Sequence, residues 1–216
     1  MNEYSERLSH LDSCAVSDAL DKLGLTGAVT GLGRVSTDQR IAGQVLTVRM
    51  DRAEGQNNAP HLCADAIEAA SPGDVIVVEQ RTGLDAACWG GNLTIAAQMR
   101  GIAGVIVEGP ARDIDESRQL GFPVFARAIT GRAARTRIVQ VATGEPVAVG
   151  EVTVTPGDYV IADASSVVFV KQGDIVRVLE TAESILHRDA AMAQALREGK
   201  PISQVMAASY EHLTKA

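Results

Sequence analysis

Residues 72–78 read Pro72-Gly73-Asp74-Val75-Ile76-Val77-Val78, a tight turn followed at once by four apolar, mostly β-branched residues. An apolar run of this length next to turn residues predicts a short buried strand. A second run of this kind is Val105-Ile106-Val107. Between the two, residues 92–100 predict a helix that opens after Gly90-Gly91 and is closed by Gly101. Alternating strands and helices of this kind are typical of an α/β domain.

The chain before this region also predicts helices and strands in alternation. Residues 14–23 predict a helix capped by Asp12 or Ser13, and residues 61–70 predict another. Residues 41–50 alternate in the manner of a strand. Residues 27–33 are rich in glycine and predict a loop.

The chain after residue 137 predicts strands joined by tight turns, followed by one long helix. Short apolar runs predict strands at residues 138–141, 147–149, 152–154, 159–161 and 167–170. The helix, residues 173–196, has an apolar stripe formed by Ile175, Val178, Leu179, Ala182 and Ile185. No low-complexity linker divides the chain. We therefore expect one mixed α/β layered domain over residues 1–216, with a helical extension at its C-terminus.

Composition narrows the classes of partner. The 216 residues have a net charge of −7 and no Lys/Arg-rich block, so we expect no nucleic-acid partner. The polar and acidic residues 1–6 do not resemble a signal peptide. No apolar run approaches the roughly 20 residues that span a bilayer. We expect a cytoplasmic protein with no membrane partner.

Two neighbouring patterns carry the chemistry that a site would need. Gly90-Gly91 leads into a helix, where free backbone N–H groups and the positive end of the helix dipole favour an anion. Residues 108–116 follow the next strand and predict a loop, which contains Arg112 and acids that include Asp113 and Glu116. Loops at strand ends are common places for sites in α/β proteins. Taken alone, however, the glycines are more typical of a tight turn, and the Arg–Asp pair is more typical of a surface ion pair or a solvated loop.

The spacing of these residues resembles the signature of the RraA-like family. Gly91 is followed by twenty residues, then Arg112-Asp113, two more residues and Glu116. The resemblance covers most of the chain. It also includes the segments at residues 16–21, 71–78, 100–107 and 155–163. The family contains 4-hydroxy-4-methyl-2-oxoglutarate / 4-carboxy-4-hydroxy-2-oxoadipate aldolases, many with oxaloacetate decarboxylase activity, and regulators of ribonuclease E activity.

The resemblance implies a fold, an assembly and a set of roles. The fold is a swivelling β/β/α layered domain, assembled as a homotrimer or homohexamer with sites between protomers. Asp113 is expected to bind Mg²⁺ or Mn²⁺, Glu116 to contact that metal through water, and Arg112 to hold a carboxylate or keto oxygen of the substrate. Backbone amides are expected to bind the substrate's carboxylate at Gly91, Asn92, Leu93 and Thr94.

The chain departs from some of the aldolases at one position. Those relatives carry an acid where this chain has Gly91, which leaves the choice of substrate and the affinity for metal open. In the family, a metal-site residue near the C-terminus comes from a neighbouring protomer, and Asp189 is a candidate match.

The function that this resemblance implies is metal-dependent cleavage or decarboxylation of a small 2-oxo acid through a pyruvate enolate. A hard cation and Arg112 would stabilise the negative oxygen of the enolate. A Schiff-base mechanism would need a lysine of lowered pKa, and the four lysines lie in ordinary helical or polar contexts: Lys22, Lys171, Lys200 and Lys215. The histidines lack metal-ligand spacing and are typical of solvated or structural residues: His10, His61, His187 and His212. The rival hypothesis is a regulator that binds a ribonuclease and catalyses nothing.

Overall fold

The computed structural model describes residues 2–54 and 61–206. Its helices are α1 (Glu3–Ser9), α2 (Ser13–Lys22), α3 (Ala64–Ala69), α4 (Gly91–Met99), α5 (Ile114–Gln119) and α6 (Ile175–Arg197). A 3₁₀ turn, Gln172–Asp174, precedes α6. Its strands are β1 (Ala28–Val29), β2 (Gly33–Arg34), β3 (Ile41–Arg52), β4 (Val75–Glu79), β5 (Gly104–Ala111), β6 (Val124–Ile129), β7 (Ile138–Thr143), β8 (Val147–Val149), β9 (Val152–Val154), β10 (Tyr159–Ala162) and β11 (Val167–Val170).

One large sheet organises the protein. Its strands run in the order β1-β11-β10-β3-β4-β5-β6-β2, and β7 pairs with the far end of β3. The central strands β3, β4, β5 and β6 are parallel, whereas β10, β11 and β7 are antiparallel to their neighbours. Strands β8 and β9 form a separate hairpin. The prediction of a mixed α/β domain is confirmed.

The sheet curls around an apolar interior and has helices on its outer face. On β4, Val75 and Val77 pack into the interior with Phe125 of β6, while Ile76 and Val78 pack outward against the helices. Helices α3, α4 and α5 cover the parallel strands, and α1, α2 and α6 cover β10 and β11. Because both faces of the central strands are buried, those strands are continuous apolar runs instead of alternating ones.

Most helix predictions are confirmed, and their ends have clear physical causes. Helix α2 begins after Asp12, whose side chain accepts a hydrogen bond from the Ala15 amide at 2.8 Å, as an N-cap residue does. All five residues of the predicted stripe on α6 are buried. Helix α3 is shorter than predicted because Cys63 is in the left-handed region, with φ 62°, and its amide donates to the Gln140 side chain.

Two predictions of local structure were wrong, and one predicted strand is present but longer than predicted. The predicted loop at residues 27–33 contains β1 and reaches β2, two-residue strands that pair with β11 and β6. The strand predicted at residues 105–107 continues to Ala111, because a bulge lets Pro110 and Ala111 pair with β6. The segment at residues 108–116 is therefore not one loop, since its last residues begin helix α5.

Two further observations concern the ends and the surface of the chain. The predicted helical extension at the C-terminus is only partly covered, because residues 207–216 lie outside the described residues. Across residues 2–54 and 61–206, no helix combines the length and the apolar character that crossing a bilayer would require.

Candidate active site

The site lies at the carboxyl ends of the central parallel strands. Strand β5 ends at Ala111, and Ala111 forms a bridge with Trp89, the residue just before the two glycines that open α4. The Arg112 amide donates to the Trp89 carbonyl at 3.0 Å. This pairing fixes the end of one strand against the start of the next helix, so residues 22 positions apart in sequence meet at one place.

Arg112 and Asp113 meet the start of α4. The Gly91 amide donates to Asp113 Oδ2 at 3.0 Å, and Arg112 Nε lies 3.4 Å from the same oxygen. Asp113 has left-handed backbone angles, φ 57° and ψ 40°, which turn the chain from β5 into α5. A non-glycine residue in this region is uncommon and is found at functional sites more often than elsewhere. Both side chains are about two-fifths exposed, so they face a solvent-filled space.

Glu116 occupies the space that a side chain at position 91 would need. A Cβ atom built on Gly91 would lie 1.7 Å from Glu116 Oε2 and 2.5 Å from its Cδ. Those distances are far below van der Waals contact, so a larger residue at position 91 and this position of Glu116 exclude each other. Some relatives carry an acid at position 91, whereas this chain has Gly91. Here the Glu116 carboxylate reaches the same space from α5.

Two backbone amides at the start of α4 remain free. The first N–H groups of a helix have no acceptor within the helix. The Gly91 amide is used by Asp113, and the Thr94 amide donates to the Gly90 carbonyl at 3.0 Å. Within the described residues, the amides of Asn92 and Leu93 have no acceptor. The N-terminus of α4 therefore offers two donors to an anion, fewer than the four residues predicted.

Thr94 lies beneath the site and does not line it. Its side chain is fully buried, and its hydroxyl accepts a hydrogen bond from Trp89 Nε1 at 3.0 Å and lies 3.2 Å from the Ser117 hydroxyl. Ser117 in turn contacts the Asp113 carbonyl. The prediction that the Thr94 amide binds substrate is not supported, because the amide and the hydroxyl are both engaged within the protein. Sequence reasoning missed Trp89 and Ser117, which join α4 to α5 under the site.

Comparison with known proteins places the chain in a family. The model of the RraA-like family, described as aldolase/RraA, matches residues 13–169. The chain belongs to the RraA-like family. A Halalkalibacterium halodurans protein named "Putative 4-hydroxy-4-methyl-2-oxoglutarate aldolase" is 33% identical over 91% of this chain and 90% of its own length. Protein DlpA of Legionella pneumophila is 27% identical over 94% of this chain, which spans only 33% of the length of DlpA.

The fold of this RraA-like protein is also found in a solved structure. A crystal structure of a protein from Pseudomonas syringae pv. tomato has a TM-score of 0.85 and 28% sequence identity. The similarity covers 94% of this chain and 96% of the other. The predicted RraA-like fold is confirmed.

The predicted site residues of the RraA-like protein surround one open cavity of about 650 Å³, a size suited to a small ligand. Gly91, Asn92, Leu93, Arg112, Asp113 and Glu116 line it. Three further charged or titratable residues line it, His61, Cys88 and Arg135, and none was singled out from the sequence for this role. Arg135 lies in the connection between β6 and β7, which no local motif ties to the site.

The donor chemistry at the cavity fits a hard divalent cation. Asp113 and Glu116 both approach Gly91, and Asp113 Oδ1 has no partner within the described residues. Mg²⁺ prefers oxygen ligands and is commonly held by one or two carboxylates together with water and substrate. Residues 2–54 and 61–206 contain no group of three or more His, Cys, Asp or Glu side chains that could hold a metal. A metal here would thus rest on two protein carboxylates from this chain.

Asp189, the candidate match for a residue supplied by a neighbouring protomer, lies on α6 and does not line this cavity. It is close to Asp18 of α2. Burial raises the pKa of Asp18, and the negative charge of Asp189 raises it further. The role of Asp189 in a neighbouring site stays a prediction.

Proposed function

We propose that this chain is a divalent-metal-dependent lyase that breaks the C3–C4 bond of a small 2-oxo acid, one carbon removed from the ketone at C2, with pyruvate as a product. One observation carries the proposal. A fixed arginine, two carboxylates and two free helix N-terminal amides line one cavity. The proposal extends to Mg²⁺ or Mn²⁺ as the cofactor, to a homotrimer or homohexamer as the assembly, and to the cytoplasm as the location.

The reaction needs groups that stabilise negative charge on the ketone oxygen. Breaking the bond leaves the electron pair on the pyruvate fragment as an enolate, and an arginine guanidinium stabilises such an anion with fixed donors. Arg112 is suited to this role because its backbone is held by Trp89 and its side chain by Asp113. A divalent metal, when bound, would supply Lewis-acid stabilisation of the same charge.

The free amides at the start of α4 are suited to the carboxylate of the substrate. The N–H groups of Asn92 and Leu93 and the positive end of the helix dipole would bind that carboxylate. Binding at one end orients the carbonyl toward Arg112 and the two carboxylates. Orientation of this kind removes much of the entropic barrier of a reaction.

Aldol cleavage and decarboxylation share this enolate, so one site can perform both reactions. They differ in the fragment that departs, which is a carbonyl compound in one case and CO₂ in the other. The candidate substrates are 4-hydroxy-4-methyl-2-oxoglutarate, 4-carboxy-4-hydroxy-2-oxoadipate and oxaloacetate. A Schiff-base mechanism has less support, because no described lysine lines the cavity, and Lys215 lies outside the described residues.

Pyruvate release from oxaloacetate and from 4-hydroxy-4-methyl-2-oxoglutarate, with Mg²⁺, Mn²⁺ or EDTA, tests the proposal. We expect release that requires metal and that falls by at least about 100-fold in Asp113→Ala and Arg112→Ala, the loss typical of removing one stabilising group. Asp115→Ala is the matched control. Asp115 is an exposed acid in the same first turn of α5 as Glu116, and it pairs with Arg118 outside the cavity.

The alternative function is regulation of a ribonuclease E-type enzyme by protein binding, without catalysis. It predicts no release of pyruvate from either substrate by a folded protein with any metal. That result would overturn the lyase proposal. Full turnover in Arg112→Ala would leave a lyase but contradict the site assigned to it.

A further inference from the structure

Three arginines lie close together in the connection between β6 and β7, and two of them have protein partners. Arg132 Nε lies 3.4 Å from Asp85 Oδ2, and Arg137 Nη1 donates to the Ala133 carbonyl at 3.0 Å. The side chain of Arg135 makes no hydrogen bond or ion pair within the described residues and lines the cavity instead. Arg135 is therefore an exposed residue of the cavity lining whose side chain has no partner in the described part of the chain.

The backbone of this connection is fixed on both sides of Arg135. The Ala87 amide donates to the Arg132 carbonyl at 2.9 Å, and the Ile138 amide donates to the Ala134 carbonyl at 3.0 Å. Thr136 has φ 66°, a left-handed conformation that is rare for a β-branched residue, and its hydroxyl donates to the Arg135 carbonyl. Strained positions of this kind persist where the surrounding structure imposes them, often at ligand sites.

The charges that line the cavity define the ligand further. Asp113 and Glu116 supply two negative charges, and Arg112 and Arg135 supply two positive charges. If a divalent cation binds the carboxylates, the cavity has a net charge of about +2, which a dianion would neutralise. Arg112 and the α4 amides are sufficient for one carboxylate and its neighbouring carbonyl. Arg135 then supplies the second positive charge, which the other end of a dianionic ligand requires.

We propose that Arg135 binds the distal carboxylate of the substrate and makes the cavity selective for 2-oxo dicarboxylic acids over 2-oxo monocarboxylic acids. This inference rests on the proposed function, since it names the substrate class of the same site. The guanidinium can bind a carboxylate through two parallel hydrogen bonds, which a lysine cannot reproduce. Arg135 is a specificity-determining residue in this account, and it takes no part in breaking the bond.

Direct binding tests the inference without relying on turnover. Isothermal titration calorimetry with Mg²⁺ present compares 2-oxoglutarate with 2-oxopentanoate, two five-carbon ligands that differ in having a carboxylate or a methyl group at the far end. We expect the wild-type protein to bind 2-oxoglutarate at least about 10-fold more tightly, as one charge-assisted contact allows. In Arg135→Gln that preference is lost, while affinity for 2-oxopentanoate changes less than about 2-fold. Arg135→Lys should recover only part of the preference.

The controls separate this inference from the proposed function. Arg132→Gln removes a neighbouring arginine whose partner lies outside the cavity, and it should leave both affinities unchanged. If the Arg135→Gln variant still prefers 2-oxoglutarate, or loses affinity for both ligands equally, the role proposed for Arg135 is overturned and the proposed function is untouched. A wild-type protein that binds neither ligand overturns the proposed function and this inference with it.

Discussion

Replacing Gly91 by alanine is the sharpest perturbation of the site, because it adds one methyl group and removes no polar atom. That methyl would lie 1.7 Å from Glu116 Oε2, so the Glu116 side chain must leave its place against α4. Alanine itself suits a helix, and the exchange stabilises a helix interior by up to about 1 kcal/mol. We therefore expect Gly91→Ala to displace Glu116 while the thermal unfolding midpoint stays unchanged or rises.

The cost of displacing Glu116 should appear in metal affinity. If Glu116 supports the metal through water, its loss resembles the loss of an outer-shell ligand, which commonly weakens binding about 10–100-fold. A factor of 10 corresponds to about 1.4 kcal/mol, so the expected loss is about 1.4–2.8 kcal/mol. Titration with Mn²⁺, with free Mn²⁺ followed by its electron paramagnetic resonance signal, measures this directly.

A double-mutant cycle decides whether Glu116 is the cause. Glu116→Ala should weaken Mn²⁺ binding as much as Gly91→Ala does, and the double variant should be no worse than either single variant, because the displaced group is already absent. Additive losses in the double variant would refute the reasoning, since they would mean that the methyl group acts on something other than Glu116. Gly131→Ala is the control, because a Cβ atom there meets nothing within 4 Å.

Two further predictions concern the scaffold. Burial alone would raise the pKa of Asp163. Hydrogen bonds from the Ser13 amide at 2.8 Å and hydroxyl at 2.7 Å, together with those from the Ser165 and Ser166 amides, outweigh burial and leave the pKa below its ordinary value. The ionised carboxylate thus stabilises the fold above pH about 3.9 and ceases to do so as the pH falls through its lowered pKa. Urea denaturation should show Ser13→Ala to be about 1.5–3 kcal/mol less stable at pH 7, and less affected at pH 3; an equal loss at both pH values would contradict the role of the charge. Burial also raises the pKa of the Cys63 and Cys88 thiols, that of Cys88 to about 12, whereas Cys14 is exposed. Iodoacetamide at pH 7.5 should therefore label one thiol in the folded protein and three after denaturation. Mass spectrometry would count the labels, and rapid labelling of Cys88 in the folded protein would contradict the prediction.

The sequence predicts the elements of this fold better than their ends. Apolar runs such as residues 75–78 identify buried strands, because a strand that is buried on both faces needs apolar side chains at every position. The end of β5 at Ala111 could not be predicted, because residues 108–110 are an acid, a glycine and a proline. Glu108 continues the ladder with β4, whereas Pro110 and Ala111 pair with β6 only after a bulge. Likewise the two-residue strands β1 and β2 exist only through their partners, and nothing local distinguishes them from loop.

The same limit applies to the site. Arg112 and Asp113 could be found because a family signature places them at a fixed distance after Gly91. Arg135 belongs to a different connection, and only the pairing of β5 with β6 brings that connection to the cavity. Thr94 shows a different limit. It belongs to the right helix, but its hydrogen bond to the indole of Trp89 turns it toward the interior.

Hydrogen bonding divides the polar groups around the cavity into two sets, and the division itself argues for a ligand. The groups beneath the floor, Thr94 and the indole N–H of Trp89, have protein partners and hold α4 in place. Several groups at the cavity have no protein partner within the described residues, among them the amides of Asn92 and Leu93 and the exposed side chain of Arg135. Water would satisfy these donors in the absence of a ligand, as it does at the starts of other helices. A bound anion would accept hydrogen bonds from these donors with little further loss of conformational entropy, because the backbone that carries the amides is already ordered. Such preorganisation is what a catalytic site requires.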